Sequence, residues 1–580
     1  MIITSQTTIP TEEHFRVIAG PGAGKTTFLV NHIQHIHKNS ELLSSLRKIA
    51  CITYTNSGVQ SISKKLGAEF NLVEISTIHS FLYRHVLRPY GSFIADEYNL
   101  DMSRVSGHDE HYVERDKVEE WIVNHSRNQE LKPPFSEKQL LTIRYDQLTQ
   151  WLRSLKYEMN KCGEIILSAN YRKSFGGGAN DERYTLEKRC VEILETDTIS
   201  YKQLYWAEGK IDHDDILFLS LQLVNKYPFI LRVLHAKFPY FLVDEFQDSH
   251  PIQVELIKRI GEAKTTVGII GDPAQAIYAF QGAEPGQLKE FSLPGMRTYT
   301  IEDNHRSTEK IVKVLNRIRK DVRQKSKVGE GIKPVILVGD RCWSYEKAKE
   351  LLADESLKVL YRRNDEVAAM IQQLDYASAD LSLLEKVRSK DSNGIRRNAI
   401  LTCMEAVELA KSGQYAKAIR TMRFVIPEKG DTLIHQGKVL TVLNAFLGSY
   451  ASYQKKPLLI FYNLIESQIE LSLPKLREGA GPHLFYSEVA YCDLAVCINA
   501  GDFVGNHITI HQAKGAGFRN VLVILENENY LNFLLHPDLT DEEHRVYYVA
   551  LSRAEQGLFI SVPSLSGENR NALGELFTIF

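Results

Sequence analysis

Short apolar runs that end in glycine-rich or acidic loops are the main pattern along this chain. The run at 15–19 leads into "GPGAGKTT", and the run ending at Val243 leads directly into "DEFQD". Further runs begin the segments 267–285 and 358–370. Apolar runs of about four to eight residues bounded by turn residues are typical of buried strands. The pattern therefore predicts an α/β fold with polar loops at the strand ends.

Two long stretches show mainly helical spacing of apolar residues instead. The stretch between Phe81 and Pro239 contains "DKVEEWIVNH", "RYDQLTQWLRSLKYEM" and "YTLEKRCVEILE", with a glycine-rich loop at 174–181. From about 377 to 506 the chain is again helical and irregular. The spacing predicts helical insertions at both places. In the first stretch, Asp214 and Asp215 are expected to cap the helix that follows them.

Composition and charge place limits on the class of protein. At 580 residues the chain is too long for one core, and we expect three or four compact units. Apolar residues make up 43% and charged residues 24%, which is ordinary for a globular protein. With 70 basic and 72 acidic residues the net charge is −2, so any nucleic-acid site must be a local basic groove.

The cysteines and the N-terminal segment indicate a cytoplasmic protein. The seven cysteines are scattered and contain no CxxC pair, which favours reduced thiols over a zinc or iron–sulfur site. The segment 1–15 lacks a basic region followed by an apolar region, so a signal peptide is not expected. Because no apolar run approaches the length of about 18 residues that a membrane span needs, no membrane partner is expected either.

The glycine-rich loop predicts a nucleotide site. "AGPGAGKTT" follows the phosphate-loop pattern GxxxxGK[ST], with Ala19 in place of the first glycine. Its backbone N–H groups can point at phosphate oxygens, with Lys25 on the β- and γ-phosphates and the Thr26 hydroxyl on Mg²⁺. The predicted nucleotide-binding residues are Ala19, Gly20, Pro21, Gly22, Ala23, Gly24, Lys25, Thr26 and Thr27.

An acidic pair supplies the second half of a hydrolytic site. Asp244 and Glu245 follow an apolar run, which suits Asp244 for Mg²⁺ and Glu245 for polarising the attacking water. A chance acidic pair at a strand end is the alternative, and the upstream phosphate loop makes it a poor one. The two elements together predict hydrolysis of ATP or GTP.

Eight blocks identify a family by their order. They are "AGPGAGKT", "ITYTN", "STIHSF", "DEFQD", "GDPAQAIYAFQGA", "NHRS", "TIHQAKG" and "YVALSRA". From about Gln6 to Ile560 the chain resembles superfamily 1 DNA helicases of the UvrD/Rep/PcrA type. The resemblance implies two RecA-like domains, 1A and 2A, with helical insertions 1B and a reduced 2B. The expected bounds are 1–85 and 209–293 for 1A, 86–208 for 1B, 294–376 and 507–580 for 2A, and 377–506 for 2B.

The resemblance assigns further residues to the nucleotide. ATP with Mg²⁺ would bind between 1A and 2A, and Gln275 would sense the γ-phosphate. Arg306, expected at the start of a helix, and Arg553, expected on a helix before a strand, would reach across from 2A as arginine fingers. His305 replaces a base-stacking tyrosine, and Gln6 is a candidate for reading adenine.

The resemblance also places a DNA strand, along residues that would contact phosphates or stack on bases. These residues are Tyr54, Thr55, Asn56, Thr77, His79, Tyr278, Phe280 and His511. For Tyr54 and Phe280 the alternative is packing in the core. Two departures from the family pattern concern coupling and nucleotide selectivity, because Gln281 replaces an arginine and Gly517 replaces an acidic residue.

The leading hypothesis is an ATP-dependent translocase on single-stranded or tailed duplex DNA, moving 3′ to 5′ by family resemblance. The alternative is a regulatory ATPase that senses DNA ends and controls a partner nuclease without processive unwinding. Compact proteins of this type resemble the helicase subunit of Gabija antiphage systems, which works with a separate OLD/TOPRIM-type nuclease. Strand displacement beside ATP turnover separates the two hypotheses.

Overall fold

The computed structural model forms two compact units. The first contains Met1–Glu330 and His536–Ser552, and the second contains Gly331–Leu535 and Arg553–Phe580. The structure describes all of the chain apart from 68–70, 108–112, 161–162, 170–185, 263, 279–285, 354–355, 375–382, 392, 412–413, 427–431, 470–475, 480 and 500–505.

A parallel sheet of seven strands forms the centre of the first unit, in the order β1-β9-β2-β8-β7-β3-β4. Its strands are β1 Ile2–Ile3, β2 Phe15–Ala19, β3 Ile49–Thr53, β4 Val73–Thr77, β7 Tyr240–Val243, β8 Thr266–Gly271 and β9 Arg297–Ile301. The apolar runs at 15–19, before Asp244 and at 267–271 are thus confirmed as strands. Because all strands run parallel, the loops after β2, β8, β7, β3 and β4 meet at one edge of the sheet.

Helices cover both faces of this sheet and bury them in two apolar cores. Against one face lies the helix that follows the phosphate loop, through Phe28, Leu29 and Ile33. The helices of the first unit are Lys25–Asn39, Asn56–Leu66, Ile78–Leu82, Arg88–Tyr90, Ala95–Tyr98, Arg115–Asn124, Glu137–Leu140, Tyr145–Arg153, Lys188–Leu194, Thr198–Trp206, His213–Lys226, Phe229–Lys237, Pro251–Glu262, Gln287–Glu290, Glu309–Ile318 and Glu542–Leu551, with a π-helix at Tyr83–Leu87 and 3₁₀ turns at Gly91–Phe93, Asn128–Glu130, Glu195–Asp197, Phe246–Asp248 and Pro273–Gln275.

The predicted first insertion is helical but also contains a hairpin. The helical prediction for "RYDQLTQWLRSLKYEM" is wrong beyond Arg153, because β5 Leu155–Met159 pairs antiparallel with β6 Ile165–Ala169. Leu155 and Tyr157 point inward on alternate positions, and the Tyr157 ring stacks on Phe218 with centroids 4.8 Å apart. Within this segment, residues 155–159 alternate with the two-residue period of a strand, although the residues before them have helical spacing.

The structure continues the first unit beyond the expected boundary at residue 293. Strand β9 lies within the first sheet, and the short parallel pair β10 Asp303–Asn304 and β11 Lys325–Ser326 follows it. The helix Glu542–Leu551 also belongs to this unit, because the buried Arg545 donates from Nε to the carbonyl of Ala276 at 2.7 Å. Residues 294–330 and 536–552 were expected in the second RecA-like domain.

The second unit has its own parallel sheet of six strands, in the order β14-β13-β15-β16-β12-β17. The strands are β12 Val335–Val338, β13 Lys358–Tyr361, β14 His507–Thr509, β15 Phe518–Ile524, β16 Ala554–Val562 and β17 Thr578–Ile579. Helices outside the insertion are Arg341–Leu351, Asn364–Leu374, Ile510–Ala513, Asn532–Leu535 and Gly567–Leu573, with a 3₁₀ turn at Glu528–Leu531. The fold class of an α/β protein with two parallel sheets and helical insertions is therefore confirmed.

The second insertion is helical and has a core of its own. The structure describes its helices as Leu383–Lys390, Gly394–Lys411, Tyr415–Met422, Thr432–Gly448, Tyr450–Tyr453, Leu458–Gln468, Gly481–Glu488 and Tyr491–Asn499. The Asp391 carboxylate, which is fully buried there, accepts hydrogen bonds from Arg396 and Tyr486.

No single helix in the described ranges is long and apolar enough to cross a membrane. The helices His213–Lys226 and Phe229–Lys237, bent by 108° where they meet, reach that length and hydropathy only as a pair.

Candidate nucleotide and nucleic-acid sites

The phosphate loop joins β2 to the helix Lys25–Asn39 and requires glycine at two positions. Gly22 has φ 71° and Gly24, the residue before the helix, has φ 83°, both in the left-handed region that glycine adopts without strain. The Lys25 ammonium folds back over the loop and donates to the carbonyls of Ala19 and Gly20 at 3.4 and 3.5 Å. The loop thus presents a cation and a helix N-terminus at the same point.

Residues from 304 to 324 pack directly on this loop. A Cβ on Gly22 would lie 2.6 Å from Asn304 Oδ1 and 2.7 Å from Arg306 Cβ. The backbone N–H of His305 donates to the Gly22 carbonyl at 2.8 Å, and Gln324 Nε2 donates to the Pro21 carbonyl at 2.8 Å. The loop is therefore held by the segment that carries two predicted site residues, His305 and Arg306.

Arg306 lies in the first compact unit, whereas the family resemblance implied that it belongs to domain 2A, and its function as an arginine finger stays a prediction. It also precedes the helix Glu309–Ile318 instead of starting it, in a turn where Asn304 Oδ1 accepts from the N–H groups of Arg306 and Ser307 at 2.9 and 2.8 Å. Its guanidinium donates to the Ser552 carbonyl at 3.3 Å. Arg306 therefore lies beside the phosphate loop with its backbone fixed.

Asp244 and Glu245 follow β7, two strands from β2 in the same sheet. Asp244 is buried, and burial together with the charge of Glu245 raises the pKa of its carboxyl to about 7, while the nearby Lys25 charge opposes the rise. Glu245 has φ 54°, an uncommon backbone conformation for a non-glycine residue. A carboxylate pair with one buried member, near a lysine, is an arrangement that a bound cation would stabilise.

The loop after β8 connects the acidic pair with Gln275. Gln247 Nε2 donates to Glu245 Oε2 at 2.6 Å, and Gln247 Oε1 accepts from the backbone N–H of Asp272 at 2.9 Å. The Asp272 carboxylate in turn accepts from Gln275 Nε2 at 2.6 Å. The structure thus brings together Lys25, Asp244, Glu245 and Gln275 at one edge of the sheet.

Two other predicted nucleotide residues have different surroundings. Gln6 is exposed, and its amide oxygen accepts from Asn31 Nδ2 at 3.0 Å, on the helix that follows the phosphate loop. Thr26 and Thr27 lie half-buried in the first turn of that helix.

Arg553 belongs to the second unit and is fully buried there. The helix before it ends at Leu551, so Arg553 lies in the turn before β16 and not on the helix as expected. Its guanidinium donates to the Ala516 carbonyl at 3.1 Å, next to the exposed Gly517. Its function as an arginine finger stays a prediction.

A cleft of about 620 Å³ lies beside the nucleotide loops, between the sheet edge and the first insertion. Five residues predicted to contact DNA line it together: Tyr54, Thr55, Asn56, Thr77 and His79. They lie at the ends of β3 and β4 and in the first turns of the helices that follow, where Thr55 and Thr77 act as the caps. The His79 ring lies 5.2 Å from that of His213 across the cleft.

The insertion supplies the opposite wall of the cleft. Arg153 and Lys156 line it, as does Lys202, whose ammonium is buried against the carboxylates of Asp212 and Asp215. Asp212 caps the helix His213–Lys226, and Asp215 completes the reciprocal pair of hydrogen bonds. The expected capping by Asp215 therefore acts through Asp212, while Asp214 pairs with Lys156 at 3.0 Å.

Tyr54 and Tyr278 stack on each other at the edge of the cleft, with centroids 5.4 Å apart and planes at 19°. Burial, followed by the charges of Asp248 and Glu245, raises the pKa of Tyr278 to about 12. Phe280 and Gln281 lie outside the described residues. His511 lies in the short helix Ile510–Ala513 of the second unit.

Several residues of these sites were missed by the sequence prediction. Asn304 and Gln247 stand inside the quoted blocks "NHRS" and "DEFQD", so a block-by-block reading could have included them. Gln324 and Lys202 stand in no motif, and only the packing of distant segments brings them to the phosphate loop and the cleft.

Comparison with protein families agrees with this arrangement. The model of the UvrD/REP helicase N-terminal domain matches residues 3–294, and the model of the UvrD-like helicase C-terminal domain matches residues 506–564. The chain belongs to the UvrD/Rep helicase family. As a member of this family it is an ATP-dependent DNA helicase, which confirms the family predicted from the order of the eight blocks.

Individual relatives are distant. The chain is 22% identical to the putative ATP-dependent DNA helicase YjcD of Bacillus subtilis, over 96% of this chain and 77% of that protein. It is 23% identical to a probable DNA helicase II homolog of Mycoplasma genitalium, over 94% of this chain and 82% of that protein. It is 26% identical to the Gabija protein GajB of Bacillus cereus, over 52% of this chain and 46% of that protein.

Proposed function

We propose that this UvrD/Rep-family helicase hydrolyses ATP at the ends of β2, β7 and β8 and uses the energy to move 3′ to 5′ along a single DNA strand. The observation that carries the proposal is the order of the sheet. The nucleotide loops follow β2, β8 and β7, and the cleft residues lie where the adjacent β3 and β4 end and their helices begin. A change at the nucleotide loops can therefore act on the cleft through neighbouring strands. The direction of movement rests on the family resemblance.

In the proposed nucleotide site, Lys25 binds the β- and γ-phosphates and Gln275 contacts the γ-phosphate. Glu245 orients the attacking water and accepts its proton. The Thr26 hydroxyl and the Asp244 carboxylate fit Mg²⁺, which would neutralise charge on the phosphates. The described residues contain no group of three or more His, Cys, Asp or Glu side chains able to hold a metal ion, as suits an ion bound largely through substrate phosphates.

In the proposed DNA site, basic and aromatic side chains of the cleft bind a single strand. Arg153 and Lys156 lie on one wall, while Tyr54 and His79 lie on the other. Such a groove binds phosphates by charge and bases by stacking, without reading sequence. Arg153, Lys156 and Lys202 share the cleft with Asp212, Asp214 and Asp248, so in this proposal base stacking contributes beside the local positive charge.

ATP turnover and strand displacement test the proposal together. Single-stranded DNA should stimulate ATP turnover more than blunt duplex does, and duplexes with a 3′ tail should be separated in preference to those with a 5′ tail. Lys25→Ala should abolish turnover because the phosphate charge loses its partner, whereas Lys38→Ala, at an exposed position of the same helix, should not. Turnover that survives Lys25→Ala would show that the nucleotide site is assigned wrongly.

The DNA site has its own test in Tyr54. Tyr54→Ala should weaken binding of single-stranded DNA by about 1–3 kcal/mol if a base stacks on the ring. Tyr54→Phe keeps the ring and should retain the affinity. An equal loss of DNA affinity in both variants would assign the effect to the hydroxyl. Unchanged affinity in Tyr54→Ala would show that Tyr54 serves in packing and does not contact DNA.

A second candidate function is regulation of a separate nuclease in antiphage defence. The similarity to the Gabija protein GajB, which covers 52% of this chain, supports testing this second function. In that case DNA would stimulate ATP turnover without strand displacement, and an OLD/TOPRIM-type nuclease would co-purify with the chain from its native host. Displacement of tailed duplexes by the isolated chain would favour the helicase proposal instead.

A further inference from the structure

Arg319 is a buried arginine next to the nucleotide site that no sequence motif includes. It follows the helix Glu309–Ile318, and 1% of its surface is exposed. Its Nη1 donates to Asp272 Oδ1 at 2.6 Å and its Nε to Asp321 Oδ1 at 2.7 Å. Asp272 is fully buried as well. Removing both charges from water is costly, and only close, well-aligned hydrogen bonds offset that cost.

Asp272 connects Arg319 with the two proposed hydrolytic side chains. Its Oδ2 accepts from Gln275 Nε2 at 2.6 Å, while its backbone N–H donates to Gln247, which donates to Glu245. A continuous series of hydrogen bonds therefore runs from the Arg319 guanidinium to Gln275 on one branch and to Glu245 on the other. The atoms that join the branches all belong to Asp272.

The surroundings favour the charged form of the Arg319 guanidinium. Burial lowers the pKa of Arg319, but the charges of Asp272 and Asp321 outweigh that effect and raise it above its ordinary value. Tyr548, on the helix Glu542–Leu551, lies beside the guanidinium, and Arg545 of the same helix holds the Ala276 carbonyl at 2.7 Å. The loop 272–276 is thus hydrogen-bonded at both ends to a buried arginine, Arg319 at Asp272 and Arg545 at Ala276.

An ionised carboxylate accepts hydrogen bonds and cannot donate them, whereas a side-chain amide has a donor end and an acceptor end. Because Asp272 accepts from Arg319 through Oδ1 and from Gln275 Nε2 through Oδ2, the Gln275 amide turns its NH₂ group toward Asp272. Resting on the proposed function, we propose that Arg319 is a positioning residue for ATP hydrolysis, which orients the Gln275 amide through the Asp272 carboxylate.

A double-mutant cycle between Arg319 and Gln275 tests this inference. Arg319→Met and Gln275→Ala should each lower kcat about tenfold or more, with the KM for ATP changed by less than about threefold. If Arg319 acts through Gln275, the double variant should be no more than about twofold slower than the slower single variant. Effects that multiply would overturn the proposal. Arg317→Met, at an exposed position of the helix that precedes Arg319, is the matched control and should keep full turnover.

Further variants separate positioning from folding. Arg319→Met leaves the Asp272 charge unpaired in the interior, so thermal unfolding is measured beside kcat, and Arg319→Met with Asp272→Asn removes both charges. Recovery of stability with kcat still low supports positioning, and recovery of both assigns Arg319 to folding. Should Arg319→Met not fold, Arg319→Lys carries the same cycle, because an ammonium keeps the charge but lacks the planar fork.

The outcome also separates this inference from the proposed function. A wild-type chain that does not hydrolyse ATP overturns both. A wild-type chain that hydrolyses ATP, with Arg319→Met as active as Arg317→Met, overturns the positioning function of Arg319 alone.

Discussion

At the scale of single residues, Gly22 requires glycine for two reasons: its backbone is left-handed, and its neighbours leave no space for a Cβ. Its φ is 71°, and a Cβ would also lie 2.6 Å from Asn304 Oδ1 and 2.7 Å from Arg306 Cβ. Gly295 has a similar φ of 75°, but no atom lies within 4 Å of the position of its Cβ. The pair therefore distinguishes backbone strain from close packing.

We expect Gly295→Ala to destabilise the protein by about 1–2 kcal/mol through the left-handed backbone alone. Gly22→Ala should cost more and should also lower ATP turnover, because Asn304 and Arg306 must move away from the phosphate loop. Unfolding in urea and steady-state turnover of both variants measure the difference. Equal stability and equal turnover in the two variants would show that the contact between the loop and 304–306 has no function.

Arg553 tests the arginine-finger prediction. Arg553→Ala should lower kcat far more than it weakens nucleotide binding, because a finger stabilises charge that develops in the transition state. Arg570→Ala, at an exposed position in the same unit, should change neither. Weaker binding with turnover retained would mean that Arg553 serves mainly to hold the loop at Ala516, to which it donates in the structure.

Motif residues were predictable from the sequence, and the residues that support them were not. Lys25, Asp244 and Glu245 stand at fixed offsets from glycines and apolar runs, so chain position alone indicates their chemistry. Arg319 and Gln324 reach the site across long sequence separations, after the helix Glu309–Ile318 has packed. An arginine or glutamine that stands outside a motif has no sequence pattern that distinguishes a buried site residue from one exposed to solvent.

At the scale of elements, the helices and strands that could be predicted are those whose apolar residues recur with a clear period. The strand β2 was predicted to the residue, because four apolar residues and Arg16 lead directly into a glycine loop. The hairpin of β5 and β6 was missed because its first strand continues directly from the helix Tyr145–Arg153 and is half-polar. The expected domain boundary at 293 stays a prediction, although β9, which follows it, joins the first sheet beside β2 and β1.

The helix after the phosphate loop carries a pH-dependent element in His32. The ring packs between Phe15 and Phe28, and neither ring nitrogen has a hydrogen-bond partner in the described structure. Burial, with a smaller contribution from His35, lowers the pKa of His32 to about 3. The folded protein therefore keeps this imidazole neutral, while the unfolded chain binds a proton below about pH 6.5.

It follows that stability should fall as the pH decreases from about 6.5 toward 3. His32 alone should account for about 2 kcal/mol of the stability lost between pH 7 and pH 5. In His32→Leu that part of the pH dependence should disappear, whereas His37→Leu, exposed on the same helix, should keep it. Urea unfolding at both pH values measures it, and an unchanged pH dependence in His32→Leu would contradict the assignment.

At the scale of the whole molecule, the predicted sites are distributed unequally between the two units. The phosphate loop, the acidic pair, Gln275, Arg306 and the cleft all belong to the first unit. Only Arg553 and His511 among the predicted residues belong to the second. Between about 383 and 499 the second unit holds a helical insertion to which no site residue was assigned.

This insertion should be dispensable for hydrolysis. Its buried residues form a core of their own, and its first helix, Leu383–Lys390, packs on its last, Tyr491–Asn499, so the two chain ends of the insertion lie close together. A short glycine–serine linker in place of 383–499 should therefore leave the sheet of the second unit intact.

We expect the variant to keep DNA-stimulated ATP turnover within about threefold of wild type, a difference of less than 1 kcal/mol in the barrier. Lys25→Ala in the same background is the inactive control, and strand displacement on a 3′-tailed duplex reports what the insertion adds. A folded variant without turnover would show that the insertion contributes to the nucleotide site.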